Sequence, residues 1–491
     1  MAERPLSPLE IRVLEANALA LGATVPELME NAGRAVAEEA SRRLPAAPAR
    51  VAIVGGVGRN GGDGFAAAHY LGQWGYRPEL WLVGTPSEIR SASARRCYDR
   101  AARHHPTRTQ VPTATELAES PLVLDALVGI GLRGPLRGRL QEAAAAMNDC
   151  GRPILSVDSA SGWGHLGAVR PRFTVTFTAP KEGMDAANSG EVIVREVGIP
   201  ERALSETGPG EFHRYPVPTG ARTIRLLVIG GGPFAGAPAL TALAALRAGA
   251  ERVTVLAPAL VAGQVQGFSP NLVVRGVGES RFTPAELEPM LGTVEELHPS
   301  AIVVGMGAGR APETLELCRQ LVGGLDPAIP LLVDADALGA LDWEHRSRRT
   351  GETLATPNDG ELRHLYPELT AATDGRHGFL EGRARTLHLS ILAKGDPDLI
   401  ATPTGFAINR HHAAAASVSG VGDLLSGVAG FLLGAGLPTL GAARLASFWV
   451  GEAGLLAFAS HSHGLVATDV LRRLPKALAS GLRALEAGAA A

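Results

Sequence analysis

Residues 51–71, VAIVGGVGRNGGDGFAAAHYL, predict how the first half of the chain folds. The apolar VAIV indicates a buried strand, and the Ala-rich end indicates a helix. Six glycines fall within residues 55–64, and glycine permits positive φ and a close approach of ligand to backbone. A strand, a glycine loop and a helix N-terminus form an anion site of the dinucleotide-binding kind. A plain tight turn uses the same pattern, so the ligand does not follow from it alone.

Composition places the chain among globular α/β proteins. Its 491 residues suffice for roughly two to four domains. Aromatic residues make up 4% of the chain and the net charge is −3, so no binding of nucleic acid or of an anionic membrane is expected. The three cysteines lie far apart and predict neither a disulfide framework nor a metal cluster. The first residues lack the apolar core of a signal peptide, and we expect a cytoplasmic protein.

Two uncharged runs, residues 226–246 and 424–443, invite comparison with membrane spans. The first contains GGGPFAGAP and the second GAGLPTLG. Because glycine and proline interrupt a helix, each run is expected to divide into shorter buried elements rather than cross a membrane.

Short apolar runs alternate with helical segments through the first half, at 51–54, 79–83, 122–125, 154–158 and 174–177. This alternation predicts a Rossmann-like, doubly wound three-layer α/β domain, whose ligands bind at the carboxyl ends of the strands. The Pro- and Gly-rich stretch at 201–222 breaks every periodicity. The predicted domains are therefore residues 1–210 and 223–491, joined by a linker at 211–222.

A second α/β series follows, with apolar runs at 225–230, 252–258, 301–305, 330–336, 353–357 and 391–395. Residues 398–409 predict a hairpin that turns at 403–405. The glycine turn before residue 423 then predicts the start of a buried helix.

Polar side chains follow three strands of the first half. Asn60 follows the first strand, Asp125 ends LVLD, and SVDSASG offers Asp158 and Ser161. Because the carboxyl ends of parallel strands meet in one crevice, these groups are expected to lie close together. Their oxygens suit an alkali or alkaline-earth cation rather than zinc. The alternative is that each acid only caps the next helix.

Five segments of the first half resemble, in order and spacing, the N-terminal domain of bifunctional NAD(P)H-hydrate repair enzymes: LMENAGRAVA, GRNGGDGFAAAHYL, VLDALVGIGLRGPL, VDSASG and FTAPKEG. The resemblance implies an epimerase that interconverts the R and S hydrates of NADH and NADPH around a potassium ion. It implies that Asn60, Asp125 and Ser161 bind potassium and that Asp158 is catalytic. The implied substrate-binding residues are Arg59, Asn60, Gly61, Gly62, Asp63, Gly129, Ile130, Gly131, Leu132, Arg133, Gly134, Pro135 and Asp158.

Departures from that family pattern leave the implied ion ligands in place. Arg59 stands where the family has a first Asn, Ser159-Ala160 where it has Ile-Pro, and Gly164 where it has Asp. We therefore expect an intact epimerase site, in which the glycines admit the pyrophosphate and Asp63 orders the loop or contacts substrate.

In the second half, GVGD at 420–423 carries the chemistry. Successive N–H groups of Gly420, Val421 and Gly422 at a helix N-terminus would form an anion hole, with Asp423 beside a phosphoryl group in transfer. Alone, the same four residues describe a plain helix start.

Five segments of the second half resemble the ADP-dependent NAD(P)H-hydrate dehydratase domain, which is ribokinase-like. They are LLVIGGGPFAGAPALTALAALRAGAERVTVLAP, GMGAG, LLVDADAL, LAKGDPDLI and GVGDLLSGVAGFLLGAGL. The resemblance implies ADP or ATP as phosphoryl donor, with Mg²⁺, and Asp423 as the catalytic base. Substrate-binding residues would be Gly307, Asn358 and Asp423. Nucleotide-binding residues would be Lys394, Gly395, Asp396, Pro397, Asp398, Gly420, Val421 and Gly422.

In the second half, the departures from the family pattern occur at residues that the resemblance implies in substrate binding and catalysis. Asn358 stands in place of a substrate-binding His, with Asp359 beside it, and Val421 replaces a Thr in the turn. These changes predict an impaired or repurposed dehydratase site. The alternatives are a ribokinase-like small-molecule kinase and a catalytically silent nucleotide-binding scaffold that stabilises an oligomer. A homo-oligomer is expected.

Two histidine-rich segments, RHH (410–412) and HSHG (461–464), have no matching set of Cys or carboxylate residues nearby. We interpret their histidines as exposed loop residues rather than as metal ligands.

Overall fold

The structure, a computed structural model, describes residues 4–131, 134–217, 223–341, 352–369, 373–412 and 418–490. The chain divides into two compact units. Unit 1 comprises Met1–Leu204 with Leu485–Ala491, and unit 2 comprises Ser205–Ala484. Each unit has its own sheet and its own core.

Unit 1 alternates strands and helices, as predicted. Its strands are β1 (Arg50–Gly55), β2 (Arg77–Leu82), β3 (Thr107–Arg108), β4 (Val123–Ala126), β5 (Ile154–Val157), β6 (Phe173–Phe177) and β7 (Glu191–Arg195). Its helices are α1 (Pro8–Ala20), α2 (Val25–Ser41), α3 (Arg59–Gln73), α4 (Ala92–His104), α5 (Ala114–Ala118), α6 (Arg139–Asp149) and α7 (Ala186–Ser189), and α8 (Arg202–Ser205) closes the unit.

The seven strands form one parallel sheet in the order β3-β2-β1-β4-β5-β6-β7. The order reverses between β1 and β4, where Val54 pairs with Asp125. Loops leave the sheet in opposite directions at such a point and leave a crevice at the carboxyl ends of the strands. The predicted ligand residues follow or end β1, β4 and β5, which are neighbours.

The glycines of the opening stretch serve packing. A Cβ on Gly61 would lie 2.0 Å from the carbonyl oxygen of Gly56, and one on Gly56 would lie 2.0 Å from that of Leu127. A Cβ on Gly62 would meet the Met29 sulfur at 2.7 Å. Helix α3 therefore approaches its neighbours more closely than any side chain would allow. This packing accounts for five of the six glycines, and Gly58 has open space where a Cβ would stand. That the loop admits the pyrophosphate stays a prediction.

Unit 2 contains the second series. Its strands are β8 (Arg225–Ile229), β9 (Arg252–Pro258), β10 (Val273–Val277), β11 (Ala301–Val304), β12 (Leu331–Val333), β13 (Thr353–Ala355), β14 (Ser390–Ala393), β15 (Asp398–Thr402) and β16 (Gly405–Asn409). Its helices are α9 (Gly236–Ala248), α10 (Ala259–Gly267), α11 (Leu287–Leu297), α12 (Pro312–Gly324), α13 (Asp359–Leu365), α14 (Thr373–Leu387), α15 (Val421–Gly434), α16 (Thr439–His461) and α17 (Ala467–Ala490), the last of which belongs to unit 2 as far as Ala484.

Its nine strands run in the order β10-β9-β8-β11-β12-β13-β14-β15-β16. The first seven are parallel, and the predicted hairpin of β15 and β16 adds two antiparallel strands at one edge. Helix α15 is buried along almost its whole length and packs against α9. The close contact depends on Gly427, where a Cβ would lie 2.1 Å from the carbonyl oxygen of Thr241.

Residues 205–217, which the sequence places across the first domain's end and the linker, pack on unit 2 instead. Glu211 is fully buried, and it forms ion pairs with Arg214 and Arg444. These two guanidinium groups hold the pKa of Glu211 below its usual range against the cost of burial. Residues 218–222 lie outside the described residues.

The cysteines and the two uncharged runs lie within the described residues. The three cysteines, Cys97, Cys150 and Cys318, are buried free thiols. The two uncharged runs divide into separate elements, β8 with α9 and α15 with α16. Over the described part of the chain, none of the helices combines the length and apolarity that a membrane span requires.

Candidate functional sites

Asp125 lies at the bottom of the unit 1 crevice and is completely buried. Its carboxylate accepts hydrogen bonds from the Ser156 hydroxyl at 2.7 Å, from the Ser161 hydroxyl at 2.6 Å and from the Ser161 N–H at 2.9 Å. The Leu127 N–H adds a fourth donor at 3.3 Å. Burial raises the pKa of Asp125, and these donors oppose that rise. The structure thus brings together Asp125 and Ser161, as predicted.

The third predicted ion ligand, Asn60, is buried at the start of α3. Its amide oxygen faces Gly129, whose Cβ, if present, would lie 3.5 Å away. Its amide nitrogen is buried without a hydrogen-bond partner among the described residues. An amide flip exchanges the two atoms and places the oxygen in the buried position.

These groups form a donor set of oxygen atoms. The Ser161 hydroxyl lies 3.1 Å from the Val128 carbonyl oxygen, so carboxylate, hydroxyl and backbone carbonyl converge at the ends of β4 and β5. Oxygen ligands of this kind suit a hard cation. The side-chain amide of Asn60 has a buried polar atom without a hydrogen-bond partner among the described residues, which is typical of a position that contacts a ligand or ion. The residues present therefore fit a potassium ion.

Asp158 follows β5 with φ of +66° and forms an ion pair with Lys181. The Lys181 side chain is 1% exposed, and its ammonium also donates to the Thr176 hydroxyl at 2.5 Å. A buried ammonium needs such partners because burial of an unpaired charge is costly. Lys181 therefore fixes the position of the Asp158 carboxylate in the crevice.

Two further acids share the electrostatic environment of Asp158. Burial raises the pKa of Asp63 well above its usual value, and the charges of Asp158 and Glu15 raise it further. The pKa of Glu15 is also raised, by desolvation and by the charge of Asp158. The positive charge of Arg59 opposes both shifts. No hydrogen bond of the Asp63 side chain is found among the described residues, so nothing in this structure supports a loop-ordering role for it.

The loop after β4 supplies the other predicted substrate contacts. Gly131 and Gly134 have open space where a Cβ would stand, whereas Ile130 packs on the cluster formed by Leu6, Ile11, Leu14, Ala18, Ala179 and Ala203. Pro135 is exposed. Leu132 and Arg133 lie outside the described residues.

Unit 2 contains a cavity of about 600 Å³ at the ends of β12, β13 and β14. It lies away from the reversal of strand order, which falls between β8 and β11. Of the predicted residues, the cavity is lined by Asn358, Lys394, Gly395, Asp398, Gly420, Val421, Gly422 and Asp423. It is large enough for a small nucleotide.

Lys394 does not extend freely into this cavity. Its ammonium donates to Asp334 at 2.7 Å, and the second oxygen of that carboxylate accepts from the Ser426 hydroxyl at 2.6 Å. Burial opposes the charge of Lys394, but the charges of Asp334 and Glu361 outweigh it and raise its pKa. The pair ties the end of β14 to the end of β12 and to helix α15.

Asp423 stands in the first turn of α15. Burial raises its pKa to about 7, with a further rise from Asp334 and an opposing effect of Lys394. Its backbone carbonyl accepts from the Thr241 hydroxyl of α9 at 3.0 Å. A carboxylate with this pKa takes up and releases a proton near neutral pH, as a general base must.

The amides before Asp423 differ in part from the predicted anion hole. Gly420 has φ of +91°, which permits the turn, and the Val421 N–H donates to the Val418 carbonyl at 3.2 Å. That N–H is therefore engaged. First-turn amides of a helix lack intrahelical acceptors, so Gly422 and Asp423 offer the N–H groups for an anion at this end of α15.

The predicted nucleotide segment 395–398 forms the turn between β14 and β15. Asp398 accepts from the Gly395 N–H at 2.9 Å, from Ser447 at 2.5 Å and from Asn409 at 3.3 Å. Asp398 thus fixes the turn, while Asp396 has an exposed side chain. Pro397 lies between them and does not line the cavity.

The two remaining predicted substrate residues have structural roles. Asn358 caps α13: its side-chain oxygen accepts from the Glu361 N–H at 2.9 Å. Gly307, with φ of +66°, lies outside the lining of the cavity, and a Cβ there would meet the Phe234 carbonyl at 2.4 Å. Asp359 is paired with Arg376.

Sequence reasoning missed three residues of these sites: Lys181, Asp334 and Ser426. Lys181 lies in FTAPKEG and Asp334 in LLVDADAL, and both segments were recognised, but neither charge was assigned a partner. For Lys181, the available signal was a lysine in an otherwise apolar segment beside a strand end, because a buried lysine needs a charged partner. The pairs Asp158–Lys181 and Asp334–Lys394 join residues far apart in sequence, so only the fold shows them.

Comparisons with known proteins identify the families of both halves of the chain. Residues 226–476 match the NAD(P)H-hydrate dehydratase family, and residues 25–183 match the family described as YjeF-related protein N-terminus. A bifunctional NAD(P)H-hydrate repair enzyme of Archaeoglobus fulgidus is 33% identical over 485 residues, which cover 96% of this chain and 98% of the relative. One from Methanothermobacter thermautotrophicus is 33% identical over 97% of this chain and 96% of its own length.

Solved structures resemble unit 2. An ADP/ATP-dependent NAD(P)H-hydrate dehydratase from Bacillus subtilis, co-crystallised with ATP and Mg²⁺, is 21% identical with a TM-score of 0.48, over 55% of this chain and 97% of its own. A ribokinase-like superfamily protein from Enterococcus faecalis is 17% identical with a TM-score of 0.49, over 56% and 96%.

The chain belongs to the family of bifunctional NAD(P)H-hydrate repair enzymes. Family membership and the two predominantly parallel sheets confirm the predicted fold class of two successive α/β domains. They also confirm that the resemblance drawn from the motifs was correct.

Proposed function

We propose that unit 1 interconverts the R and S epimers of hydrated NADH and NADPH, and that unit 2 dehydrates the S epimer with ADP or ATP as phosphoryl donor. Two carboxylate centres support this proposal: the buried Asp125 with Ser161 in unit 1, and the half-buried Asp423 at the start of α15 in unit 2. Each centre lies at strand ends, where α/β proteins bind ligands.

In the epimerase, Asn60, Asp125 and Ser161 would bind potassium, which supplies a fixed positive charge at the strand ends. The reacting carbon of the hydrate carries a hydroxyl and is bonded to the ring nitrogen, so it inverts when the hydroxyl leaves as water and water adds back to the other face. Asp158, oriented by Lys181, would give a proton to the departing hydroxyl and take one from the returning water. Gly131 and Gly134, which have open space where a Cβ would stand, would contact the dinucleotide.

Asp125→Asn tests the potassium centre. The variant keeps the shape of the side chain and removes its charge, so we expect loss of epimerase activity and of any rise in melting temperature between NaCl and KCl. Asp149→Asn, an exposed residue at the end of α6, is the matched control and should behave as wild type. Epimerisation by Asp125→Asn at the wild-type rate would contradict the assignment.

In the dehydratase, phosphoryl transfer to the hydrate hydroxyl precedes elimination. Asp423 would remove the hydroxyl proton, and the first-turn amides of α15 would hold the phosphoryl oxygens. Magnesium would accompany the nucleotide phosphates, and the carboxylates that line the cavity are ligands of the kind it takes.

Incubation of the protein with NADHX, ADP and Mg²⁺ decides whether unit 2 is active despite its departures at Asn358 and Val421. Return of the nicotinamide absorbance supports the dehydratase. If no absorbance returns, titration calorimetry with ADP separates a silent nucleotide-binding scaffold from a unit without nucleotide, and ADP formation from ATP over a panel of small alcohols tests a kinase. A homo-oligomer and a cytoplasmic location stay predictions; light scattering after gel filtration measures the first.

A further inference from the structure

The segment Arg410–His412, expected to be an exposed loop, contributes His412 to the wall of the unit 2 cavity. The His411 ring stacks on Phe448 at 4.3 Å between ring centroids, and its Nε2 lies 2.6 Å from the Glu452 carboxylate. The His411 backbone packs against α16, where a Cβ on Gly451 would lie 1.9 Å from the His411 carbonyl oxygen. His411 therefore anchors its neighbour.

His412, so anchored, lines the cavity. Its side chain is 12% exposed, and its Nε2 is buried without a hydrogen-bond partner among the described residues. Asp396 lies within ion-pair distance, 3.4 Å from Nε2, but its side chain is 72% exposed and forms no hydrogen bond with the ring. A buried ring nitrogen without a hydrogen bond at a cavity wall is a position for a ligand.

The charges of the cavity wall indicate which ligand. Five carboxylates line it: Asp334, Asp359, Glu361, Asp398 and Asp423. Lys394 and His412 are the two residues with basic side chains among the described ones that line it. Lys394 is engaged by Asp334 and the Val421 N–H by Val418. A polyphosphate bound here needs donors beyond those two groups, and His412 supplies one.

We propose that His412 binds the phosphate chain of the nucleotide in unit 2, by donating from Nε2 to a phosphate oxygen. This proposal rests on the proposed use of ADP or ATP by unit 2. The exposed Asp396 carboxylate turns to solvent when the phosphate takes its place beside Nε2.

Titration calorimetry of the full-length protein with ADP and Mg²⁺ tests the proposal. His412→Ala should weaken ADP binding by about 10- to 100-fold, the effect of one lost hydrogen bond to a charged group. His412→Gln keeps an N–H donor and should lose less. Adenosine, which has no phosphate, should bind all three proteins within about twofold of each other. His463→Ala, at an exposed histidine outside the cavity, is the matched control.

Three results would overturn the proposal: no ADP binding by the wild type, unchanged ADP affinity of a folded His412→Ala protein, or an equal loss for adenosine. Thermal melting of each variant establishes that it is folded. The outcome is independent of the dehydratase assay. A protein that binds ADP through His412 but returns no NADH from NADHX would refute the dehydratase and leave this inference standing.

Discussion

At the level of single residues, the two units surround their central carboxylates differently. Asp125 accepts four hydrogen bonds in a fully buried position, which suits a fixed ligand. Asp423 lies among other acids, and its pKa of about 7 suits a group that exchanges a proton. Sequence alone shows an aspartate in both places; the surrounding donors and charges separate their roles.

The pKa of Asp423 sets the pH dependence of dehydration. A base works only when deprotonated, so kcat should rise with pH through a midpoint near 7 and level off above it, where Asp423 is ionised. Asp423→Asn should lower kcat by at least about a thousandfold with ADP affinity unchanged, because it removes a role confined to the transition state. Rates of NADH formation from pH 5.5 to 9 measure this, and a flat wild-type profile from 6 to 8 would contradict it.

Lys181 provides a second prediction at this scale. Lys181→Met leaves Asp158 without its partner, so we expect loss of epimerase activity and a free energy of unfolding lower by about 3 kcal/mol, as for other broken buried pairs. The double variant Asp158→Asn, Lys181→Met removes the orphaned charge and should recover part of that stability without activity. Urea unfolding and an epimer-resolving chromatographic assay measure the two effects. Full activity of Lys181→Met would exclude the positioning role.

At the level of elements, the packing of helix α15 on helix α9 fixes the position of Asp423. A Cβ on Gly427 would collide with the Thr241 backbone, and the hydroxyl of the same Thr241 holds the Asp423 carbonyl. Gly427→Ala should therefore destabilise unit 2 by about 1–3 kcal/mol and lower dehydratase activity. Gly263→Ala in α10 is the matched control: nothing lies within 4 Å of its Cβ position, and it should stabilise by about 0.5–1 kcal/mol. Equal effects of the two substitutions in thermal unfolding would refute the packing argument.

The secondary-structure elements also show how much of the fold could be predicted from the sequence. Most strands were predicted because buried parallel strands are continuous apolar runs. β3, β7 and β10 were missed: β3 has two residues, and β7 and β10 lie at sheet edges with half-exposed, mixed sequences. The proximity of Asp125 and Ser161 was predicted because both residues lie at the carboxyl ends of parallel strands. The packing role of the α3 glycines was not predicted, because close helix packing and ligand access call for the same residue type. The cavity position of His412 was not predicted either, because it depends on the stacking of His411 on Phe448, which no local pattern encodes.

At the level of the whole molecule, the two units have separate sheets, cores and sites. Their proposed activities share one small molecule, because the epimerase supplies the epimer that the dehydratase consumes. Nothing in this arrangement requires the hydrate to remain on one protein molecule, since it carries its own charge and dissolves freely. The two sites should then be separable by single substitutions.

A mixture of R and S NADHX tests that separation. The wild type, with ADP and Mg²⁺, should return the absorbance of both epimers, whereas Asp125→Asn should return the S fraction and then slow to the rate of spontaneous epimerisation. Asp423→Asn should return none. Because Asp423→Asn keeps its epimerase and Asp125→Asn keeps its dehydratase, mixing the two should restore full conversion. Complete conversion by Asp125→Asn alone at the wild-type rate would show that unit 2 accepts both epimers. Failure of the mixture, with each variant active in its own assay, would show that the hydrate must pass between units of the same molecule.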